Sequence, residues 1–337
     1  MNRGARIFAV AGLGISGRAV SEVLVDREQS VWALESHPDV VNTELAQLVE
    51  SGLPVVAPPT SLEEARAWLR AKRITTVIAS PGWAPSVALL SAAESLGLEV
   101  WSEAELAWFL RPPGAPQWLV VTGTNGKTTT VRMLAEMLRE AGKQTAAVGN
   151  IGQPLIHAAL DPSLDLLAVE LSSFQLHYTH SIEPLASALL NIAPDHLDWH
   201  GSFEQYRADK AKVYERTVGM CLYNRADPDT EEILRNADVA PGVRALGVTL
   251  EIPAVGDLGV VAGRLYDRAV HASRRTAAQE LASFADLQAG AHETDGQPPP
   301  AHLVEDALFA AGLALTAGAL PQHVSAGLRN FTAHKPP

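Results

Sequence analysis

The feature that most constrains the fold of this chain is a turn in the stretch WLVVTGTNGKTTTVRMLAEML, residues 118–138. Apolar residues lead into a glycine-rich turn, and an amphipathic pattern follows it. A common phosphate-binding loop has the pattern G-x-x-x-x-G-K-[ST]. Gly126, Lys127 and Thr128 fit its second half, but Val121 stands where its first glycine belongs. The stretch predicts a strand, a phosphate loop and a helix, in a nucleotide enzyme that does without the first glycine.

This predicted loop supplies the groups that a bound triphosphate needs. Backbone amides at a helix start hold phosphate oxygens, Lys127 neutralises charge on the β and γ phosphates, and a hydroxyl of Thr128 or Thr129 reaches Mg²⁺. A bare GKT would be a moderate signal at best, whereas the whole string is much more specific. The candidate ATP-binding residues are Gly123, Thr124, Asn125, Gly126, Lys127, Thr128 and Thr129.

A second glycine-rich turn lies in the stretch VAGLGISG. Gly12, Gly14 and Gly17 form G-x-G-x-x-G between a predicted strand and a predicted helix, and Glu35 ends the next predicted strand. In dinucleotide-binding folds such glycines let backbone amides approach a pyrophosphate, and the acid meets a ribose hydroxyl. The alternatives are a tight turn without a ligand and an NAD-dependent dehydrogenase. The separate phosphate loop disfavours the dehydrogenase, because hydride transfer has no use for a γ-phosphate site.

Composition excludes several other classes of protein. The 337 residues are 47% hydrophobic and 19% charged, which suits two domains with their own cores. With 26 basic and 38 acidic residues the net charge is −12, which disfavours nucleic acid as a partner. The single cysteine rules out an intrachain disulfide and favours a cytoplasmic location. No run approaches the ~18 apolar residues of a membrane span, so we expect a soluble protein.

Alternating apolar runs and helical patterns predict an α/β fold with parallel sheets. The predicted strands of the first part are ARIFAVAGLG, SVWALE, LPVVAP and TTVIASPG, and its predicted helices are GRAVSEVLVDRE, NTELAQLVESG and SVALLSAAESLG. A second series begins at QWLVVTGT and includes LDLLAVELSS, ASALLNIAPDH, GMCLYNRAD and, after a proline-rich mobile loop at 290–302, the helix LVEDALFAAGLALTAG. We predict a Rossmann-like domain over 1–110, a linker over 111–117, a P-loop-type α/β ATPase domain over 118–330 and a connecting segment over 331–337.

The phosphate loop and four further blocks resemble the Mur ligase family, whose loop reads T-G-T-[NH]-G-K-[ST] without the first glycine. The other blocks occur in the family's order, as GNIGQPL at 149–155, VELSSFQL at 169–176, NIAPDHLDWHGS at 191–202 and YRADKAKVY at 206–214. Together with GLGISG they cover nearly the whole chain. The resemblance points to the member that adds D-glutamate to UDP-N-acetylmuramoyl-L-alanine in peptidoglycan synthesis.

Three residues of these blocks have both a structural and a catalytic interpretation. Glu170 ends a predicted buried strand, where a carboxylate forms either a salt bridge or a ligand for Mg²⁺. His196, taken alone, is more often a capping or packing residue, and Lys210, on a predicted helix, would by default be solvated. The resemblance implies instead that Glu170 and His196 hold Mg²⁺, and that Lys210 is carbamylated by CO₂ and so becomes a further metal ligand.

The resemblance also implies where the substrate binds. The first glycine loop would hold UDP rather than NAD, and Asn150, Ser172 and Gln175 would line the cleft near the reacting carboxylate. The implied substrate-binding residues are Gly14, Ile15, Ser16, Glu35, Ser36, Ser80, Pro81, Gly82, Asn150, Ser172 and Gln175. The implied catalytic residues are Lys127, Asn150, His196 and Lys210, and the implied metal ligands are Thr128, Thr129, Glu170, His196 and Lys210.

The implied activity is an ATP- and Mg²⁺-dependent amide synthesis through an acyl phosphate, by a monomer whose partners are small molecules. Two departures from the family pattern bear on it. Leu303 and Asp306 replace two asparagines associated with the adenine end of ATP. His334 and Lys335 resemble a pair that leads into a third domain, so this chain alone is expected to bind substrates but to turn over little. The alternative is a non-catalytic fragment that binds a nucleotide or UDP-sugar, or one piece of a split ligase.

Overall fold

A computed structural model describes residues 6–36, 43–291 and 297–332. The amino-terminal part forms a parallel five-stranded sheet with strand order β3-β2-β1-β4-β5. Its strands are β1 Ile7–Ala11, β2 Ser30–Leu34, β3 Val55–Val56, β4 Thr76–Ala79 and β5 Glu99–Trp101. The helices between and after them are α1 Ile15–Asp26, α2 Thr43–Glu50, α3 Leu62–Ala71, α4 Ala88–Ser95 and α5 Glu103–Leu110.

The rest of the chain is built on a nine-stranded sheet of order β14-β13-β12-β11-β10-β9-β6-β8-β7. Its strands are β6 Gln117–Thr122, β7 Thr145–Gly149, β8 Leu166–Glu170, β9 Ala186–Leu189, β10 Met220–Asn224, β11 Arg244–Val248, β12 Asp257–Val261, β13 Arg264–Asp267 and β14 Gln279–Ser283. Its helices are α6 Lys127–Glu140, α7 Leu155–Ala159, α8 Ser173–His177, α9 Leu197–His200, α10 Phe203–Ala211, α11 Pro228–Arg235, α12 Phe284–Ala291, α13 Ala301–Thr316 and α14 Pro321–Asn330.

The central strands of the larger sheet are apolar because helices cover both of its faces. All five residues of β8 are buried, as are five of the six residues of β6. On one face α6 buries Val131, Leu134 and Leu138. Helix α14 packs so closely on α6 that a Cβ added to Gly327 would lie 2.6 Å from the Met137 backbone. This packing fixes α6, and with it the phosphate loop at its amino end.

Strand order brings the predicted site together at one edge of the sheet. Strand β6 pairs with β8 on one side and with β9 on the other, all parallel. In such sheets ligands bind beyond the carboxyl ends of the strands. The phosphate loop after β6, Glu170 at the end of β8 and the segment after β9 therefore meet at this edge.

The predicted α/β fold class is confirmed, and each predicted strand of the first part contains a strand of the five-stranded sheet. Helix α3, strand β5, helix α5 and the antiparallel strands β13 and β14 were not predicted. The loop predicted over 290–302 begins within α12 and ends within α13, and its central residues lie outside the described residues, as do His334 and Lys335. In the part of the chain that is described, no helix is both long and apolar enough to cross a bilayer.

Candidate active site

Contacts with the segment that follows β9 hold the phosphate loop in place. Gly126 has a φ of 84°, in the left-handed region that favours glycine. The Asn125 amide donates to Asn191 Oδ1 at 2.9 Å, and Asn191 Nδ2 donates to the Asn125 carbonyl at 3.2 Å. Thr124 Oγ1 lies 2.9 Å from the Tyr206 hydroxyl. Asn191 and Tyr206, which were not predicted as site residues, thus support the loop from two other segments.

Lys127 curls back over this loop. Its Nζ donates to the carbonyl oxygens of Gly123 at 2.9 Å and Thr124 at 2.8 Å. Desolvation lowers the pKa of Lys127, while the charges of Glu170 and Asp195 raise it. The ammonium therefore lies inside the loop, among acidic neighbours, at the place where phosphate charge would be neutralised.

Glu170 is buried at the end of β8, and its two oxygens accept hydrogen bonds from predicted site residues. Thr128 Oγ1 donates to Glu170 Oε2 at 2.8 Å, and Asn150 Nδ2 donates to Oε1 at 3.2 Å. The turn after β7 allows this approach, because a Cβ on Gly149, which has a φ of 107°, would overlap the Glu170 backbone. Three predicted residues, from the turn after β7, from β8 and from α6, therefore meet. Thr129 has no described hydrogen bond from its hydroxyl.

Lys210 is buried rather than solvated, with an exposed fraction of 2%. Its Nζ donates to the Gly123 carbonyl at 2.8 Å and to Thr122 Oγ1 at 3.3 Å, so it lies under the phosphate loop. Desolvation and then the charge of Lys127 lower the pKa of Lys210 to about 7, although Asp195 and Glu170 act in the opposite direction. A good part of the Lys210 amines are thus neutral near pH 7.

His196 stands at the N-cap position of α9, and its side chain is 51% exposed. Its φ of 51° is in the left-handed region, its Nε2 lies 3.5 Å from Asp195 Oδ2, and its ring packs against Phe174 at 4.9 Å between centroids. These described contacts do not join His196 to Glu170 or Lys210. The His196 side chain makes no capping hydrogen bond, so the described contacts agree with the packing interpretation.

Ser172 and Gln175 form a capping box at the start of α8. The Ser172 amide donates to Gln175 Oε1 at 3.0 Å, and the Gln175 amide donates to Ser172 Oγ at 3.2 Å. Gln175 is buried, and Ser172 is half-buried. Both side chains therefore have a local structural role, which leaves their predicted contact with substrate untested.

One described group of side chains has ligand atoms close enough to hold a metal ion, and it contains none of the predicted ligands. It consists of His177, His200 and Asp209. Both imidazole Nδ1 atoms lie 2.8 Å from Asp209, and Gln205 Nε2 donates to Asp209 at 3.0 Å. Burial alone would raise the pKa of Asp209, but the hydrogen bonds from the histidines lower it to about 2. The Asp209 carboxylate is hydrogen-bonded to three side chains, so this group links α8, α9 and α10.

The first glycine loop has the geometry of a phosphate-binding turn. A Cβ on Gly17 would overlap the Gly12 carbonyl, so the close approach of α1 to β1 requires glycine there. The Leu13 amide donates to Glu35 Oε2 at 2.9 Å, and Ser80 Oγ donates to the Gly12 carbonyl at 3.1 Å. Glu35 therefore holds the loop through one oxygen. The predicted residues Gly14, Ile15, Ser36 and Gly82 are exposed, and Ser16 and Pro81 are half-buried.

Leu303 and Asp306, the two departures from the family pattern, have different surroundings. Leu303 packs at the edge of the apolar core. Asp306 is buried against the phosphate loop, where Thr130 Oγ1 donates to its Oδ1 at 3.3 Å. The resemblance associates both positions with the adenine end of ATP, and this stays a prediction. The described contacts of Asp306 are with Thr130 and the Gly126 position, on either side of Lys127 in the sequence.

We expect Gly126→Ala to destabilise the protein more than Gly142→Ala. Both glycines have positive φ, 84° and 75°, at which a Cβ costs about 1–2 kcal/mol. A Cβ on Gly126 would also overlap Asp306 Oδ1, whereas one on Gly142 meets no heavy atom within 4 Å. Overpacking should add about 1–3 kcal/mol to the loss at Gly126. Urea unfolding of the two variants measures the difference, and equal losses would contradict the described packing of the loop.

The fold and site define a class of protein: two α/β units, the first with a dinucleotide-type glycine loop and the second with a P-loop-type phosphate site. More specifically, the chain belongs to the Mur ligase family, since the model of the Mur ligase middle domain matches residues 121–313.

Relatives of known name agree. The chain is 45% identical over 325 residues to the UDP-N-acetylmuramoylalanine–D-glutamate ligase of Streptomyces avermitilis, covering 96% of this chain and 66% of that protein. It is 46% identical over 334 residues to the Thermobifida fusca enzyme of the same name, covering 98% of this chain and 67% of that protein. The chain thus spans about two thirds of the length of these relatives.

Solved structures support the fold alone, because their sequence identity is low. The Neisseria meningitides UDP-N-acetylmuramate:L-alanyl-γ-D-glutamyl-meso-diaminopimelate ligase matches with a TM-score of 0.57 at 17% identity, covering 99% of this chain and 100% of that chain. The Thermotoga maritima UDP-N-acetylmuramate–alanine ligase matches with a TM-score of 0.50 at 19% identity, covering 96% and 68% respectively.

Proposed function

We propose that this chain carries the UDP-substrate and ATP sites of a ligase that joins D-glutamate to UDP-N-acetylmuramoyl-L-alanine. The observation that carries the proposal is the meeting of Lys127, Thr128, Glu170 and Lys210 at the carboxyl edge of the larger sheet. The names of relatives at 45–46% identity support the choice of substrates.

The two proposed ligands bind in different domains, each at its own glycine loop. Residues 1–110 bind the UDP end of the substrate, through the amides after β1 and through the exposed residues at Ser36 and Gly82. Residues 118–330 bind ATP, and 111–117 connect the two domains. Asn150, whose side chain bonds Glu170, lies where the reacting carboxylate has to approach the γ-phosphate.

The residues at the edge of the larger sheet suit Mg²⁺. Glu170 is 1% exposed, and its side-chain oxygens accept bonds from the neutral donors Thr128 and Asn150. A buried carboxylate beside a hydroxyl is the oxygen-donor set that Mg²⁺ prefers. Thr128 or Thr129, Glu170, His196 and carbamylated Lys210 would hold the ion. When bound, it neutralises the charge that develops on the transferred phosphate.

Lys210 has a neutral amine available for the proposed modification. Its neutral amine attacks CO₂, a nitrogen–carbon bond forms, and one proton leaves to solvent, which gives a carbamate anion. Because the pKa of Lys210 is lowered to about 7, the amine is available near neutral pH. The carbamate would exchange a buried cation beside Lys127 for an anion, and so relieve their repulsion.

The proposed reaction has two steps. An oxygen of the alanyl carboxylate attacks the γ-phosphorus and ADP leaves, with Lys127 stabilising the charge on the phosphate oxygens. The amine of D-glutamate then attacks the acyl carbon, loses a proton, and the phosphate leaves as the amide forms. The loop amides and Asn150 orient the reacting groups, which is the larger part of catalysis in phosphoryl transfer.

The alternative is a module that binds a nucleotide or UDP-sugar without catalysis. The relatives are ligases by name, and they do not favour it. The proposed substrates are cytoplasmic metabolites, so we also infer a cytoplasmic protein that works as a monomer with small-molecule partners only.

A coupled assay tests the proposed function. Because this chain alone is expected to turn over little, the assay is run with and without a separately expressed chain that covers the rest of the relatives' length. With that chain added, we expect phosphate release that requires ATP, UDP-N-acetylmuramoyl-L-alanine and D-glutamate together, with the amide product identified by mass. Release from ATP alone is the background. In parallel, calorimetric titration should show binding of the UDP substrate and of ATP–Mg²⁺.

Two outcomes would count against the proposal. Binding of both ligands with no release above background, even with the added chain present, would favour the binding module. Calorimetric binding of NAD without binding of the UDP substrate would show that the first glycine loop serves a dinucleotide.

A further inference from the structure

A buried carboxylate lies directly against the phosphate loop. Asp306, on α13, is 5% exposed. Thr130 Oγ1 donates to Asp306 Oδ1 at 3.3 Å, and a Cβ on Gly126 would overlap the same oxygen. Gly126 and Thr130 flank the first turn of α6, where the phosphates of a nucleotide would bind. An anion at this position repels the ligand that the loop is built to hold.

Nearby charges do not compensate for this carboxylate. Across residues 6–36, 43–291 and 297–332, no ion pair with Asp306 is formed. At the start of α6, Lys127 Nζ is engaged with the Gly123 and Thr124 carbonyls. On α13 itself the neighbouring charged residue is Glu305, whose carboxylate accepts a hydrogen bond from Asn224 of β10. The charge of Asp227 raises the pKa of Glu305, and that of His302 lowers it.

The ionisation of Asp306 is correspondingly disfavoured. Burial raises the pKa of this carboxyl to about 7; the hydrogen bond from Thr130 lowers it, and the charge of Glu305 raises it further. Near neutral pH the carboxyl is therefore partly protonated before any ligand arrives.

We propose that the protonation of Asp306 determines the affinity of the phosphate loop for ATP. The loop binds ATP when this carboxyl is neutral, so binding takes up one proton from solvent. The inference rests on the proposed function in one respect, namely that this loop binds ATP. The only covalent change is the transfer of a proton to a carboxylate oxygen, and Thr130 remains its hydrogen-bond partner.

The sign of the pH dependence follows directly. Bound phosphates disfavour the charged form of Asp306, so they raise its pKa above that of the free protein. Below pH 7 the carboxyl is already mostly neutral, and it contributes no dependence. As pH rises above 7 the free protein must first take up a proton, so ATP affinity falls by up to about tenfold per pH unit.

The experiment compares calorimetric ATP–Mg²⁺ titrations of the wild type, Asp306→Asn and Glu305→Gln at pH 7, 8 and 9. In this range the terminal phosphate of ATP has lost its last proton, since its pKa is near 6. We expect the wild-type Kd to rise by about 50-fold from pH 7 to 9, because the neutral fraction of a carboxyl with a pKa of about 7 falls from about one half to about 1%. Asp306→Asn should lose this part of the dependence, and the matched control Glu305→Gln should keep it.

A second measurement does not need Asp306→Asn, so it stands even where that variant fails to fold. Titration of the wild type at pH 8 in buffers of different ionisation enthalpy reports the protons taken up, which we expect to approach one per nucleotide. Lys210 also titrates near pH 7. The same titration of Lys210→Met measures the contribution of Lys210, so the result does not depend on Asp306→Asn.

The outcomes separate this inference from the proposed function. ATP binding with no proton uptake, or the same pH profile in wild type and Asp306→Asn, would overturn the inference and leave the ATP site intact. A uniform gain of affinity in Asp306→Asn at every pH would also overturn it, because the carboxylate would then stay charged. No ATP binding by the wild type at any of these pH values would overturn the proposed function and the inference with it.

Discussion

Lys127→Ala should weaken binding of ATP–Mg²⁺ by roughly 30- to 4,000-fold. The Lys127 ammonium already lies inside the phosphate loop, bonded to two loop carbonyls at 2.8–2.9 Å. Removing one partner of a desolvated, hydrogen-bonded charge pair costs about 2–5 kcal/mol, and each ~1.4 kcal/mol is tenfold in Kd. Calorimetric titration with ATP–Mg²⁺ measures the loss directly.

The matched control is Lys143→Ala, which removes an exposed lysine beyond the end of α6. It changes net charge by the same amount, so any general electrostatic effect on ATP binding appears in both variants. We expect ATP affinity within about twofold of wild type for this control, because isolated surface charges contribute little. Equal affinities for wild type and Lys127→Ala would mean that the glycine-rich turn does not bind phosphates.

The parts of the site that the sequence predicted are those that depend on local geometry. The spacing of Gly126, Lys127 and Thr128 determines how a strand turns into a helix, whatever the rest of the chain does. The same holds for Gly17 in the first loop, where a side chain would overlap the Gly12 carbonyl, five residues earlier in the chain. Such patterns can be read within a short window.

Contacts between distant segments could not be predicted in this way. Asn191 and Tyr206 support the phosphate loop across 66 and 82 residues of sequence, and Asp306 reaches Thr130 across 176. Asn191 and Tyr206 begin two of the family-like blocks, and Asp306 stands out as a departure from the family pattern, but these patterns do not show what the side chains contact, because the order of strands in the sheet decides that. The antiparallel strands β13 and β14 were missed for a related reason, since their short segments carry no strong apolar period.

Lys210 lies in a recognisable local pattern, but its contacts come from distant segments. The local pattern on its helix suggested a solvated lysine, and a motif resemblance alone implied a role at the metal site. In the structure the side chain is 2% exposed and reaches Gly123. Burial of an unpaired lysine beside Lys127 is costly, and such strained groups are common at functional sites. The structure therefore gives a physical reason for a role that the sequence supported only by resemblance.

In the complete enzyme, with the remaining third of the relatives' length supplied, Lys210→Ala should lower the rate of substrate-dependent phosphate release by more than about a hundredfold, with partial recovery on adding acetate or formate. Residues that only orient metal ligands cost 10–100-fold when changed, and a carbamate that itself holds Mg²⁺ should cost more. Truncation to alanine leaves room for a small carboxylate under Gly123, where the carbamate would lie. The same carboxylates should not rescue Lys127→Ala, because that position requires a cation.

The modification itself can be followed separately from turnover. We expect ¹³C-labelled bicarbonate to give a carbamate signal in the wild type and none in Lys210→Ala. Because the pKa of Lys210 is lowered to about 7, the neutral amine dominates above that pH, so the signal should rise as pH increases from 6 to 8. Unchanged phosphate release in bicarbonate-free protein, together with no labelled carbamate, would show that Lys210 acts as an amine. The buried lysine would then serve to hold the Gly123 carbonyl at the base of the loop.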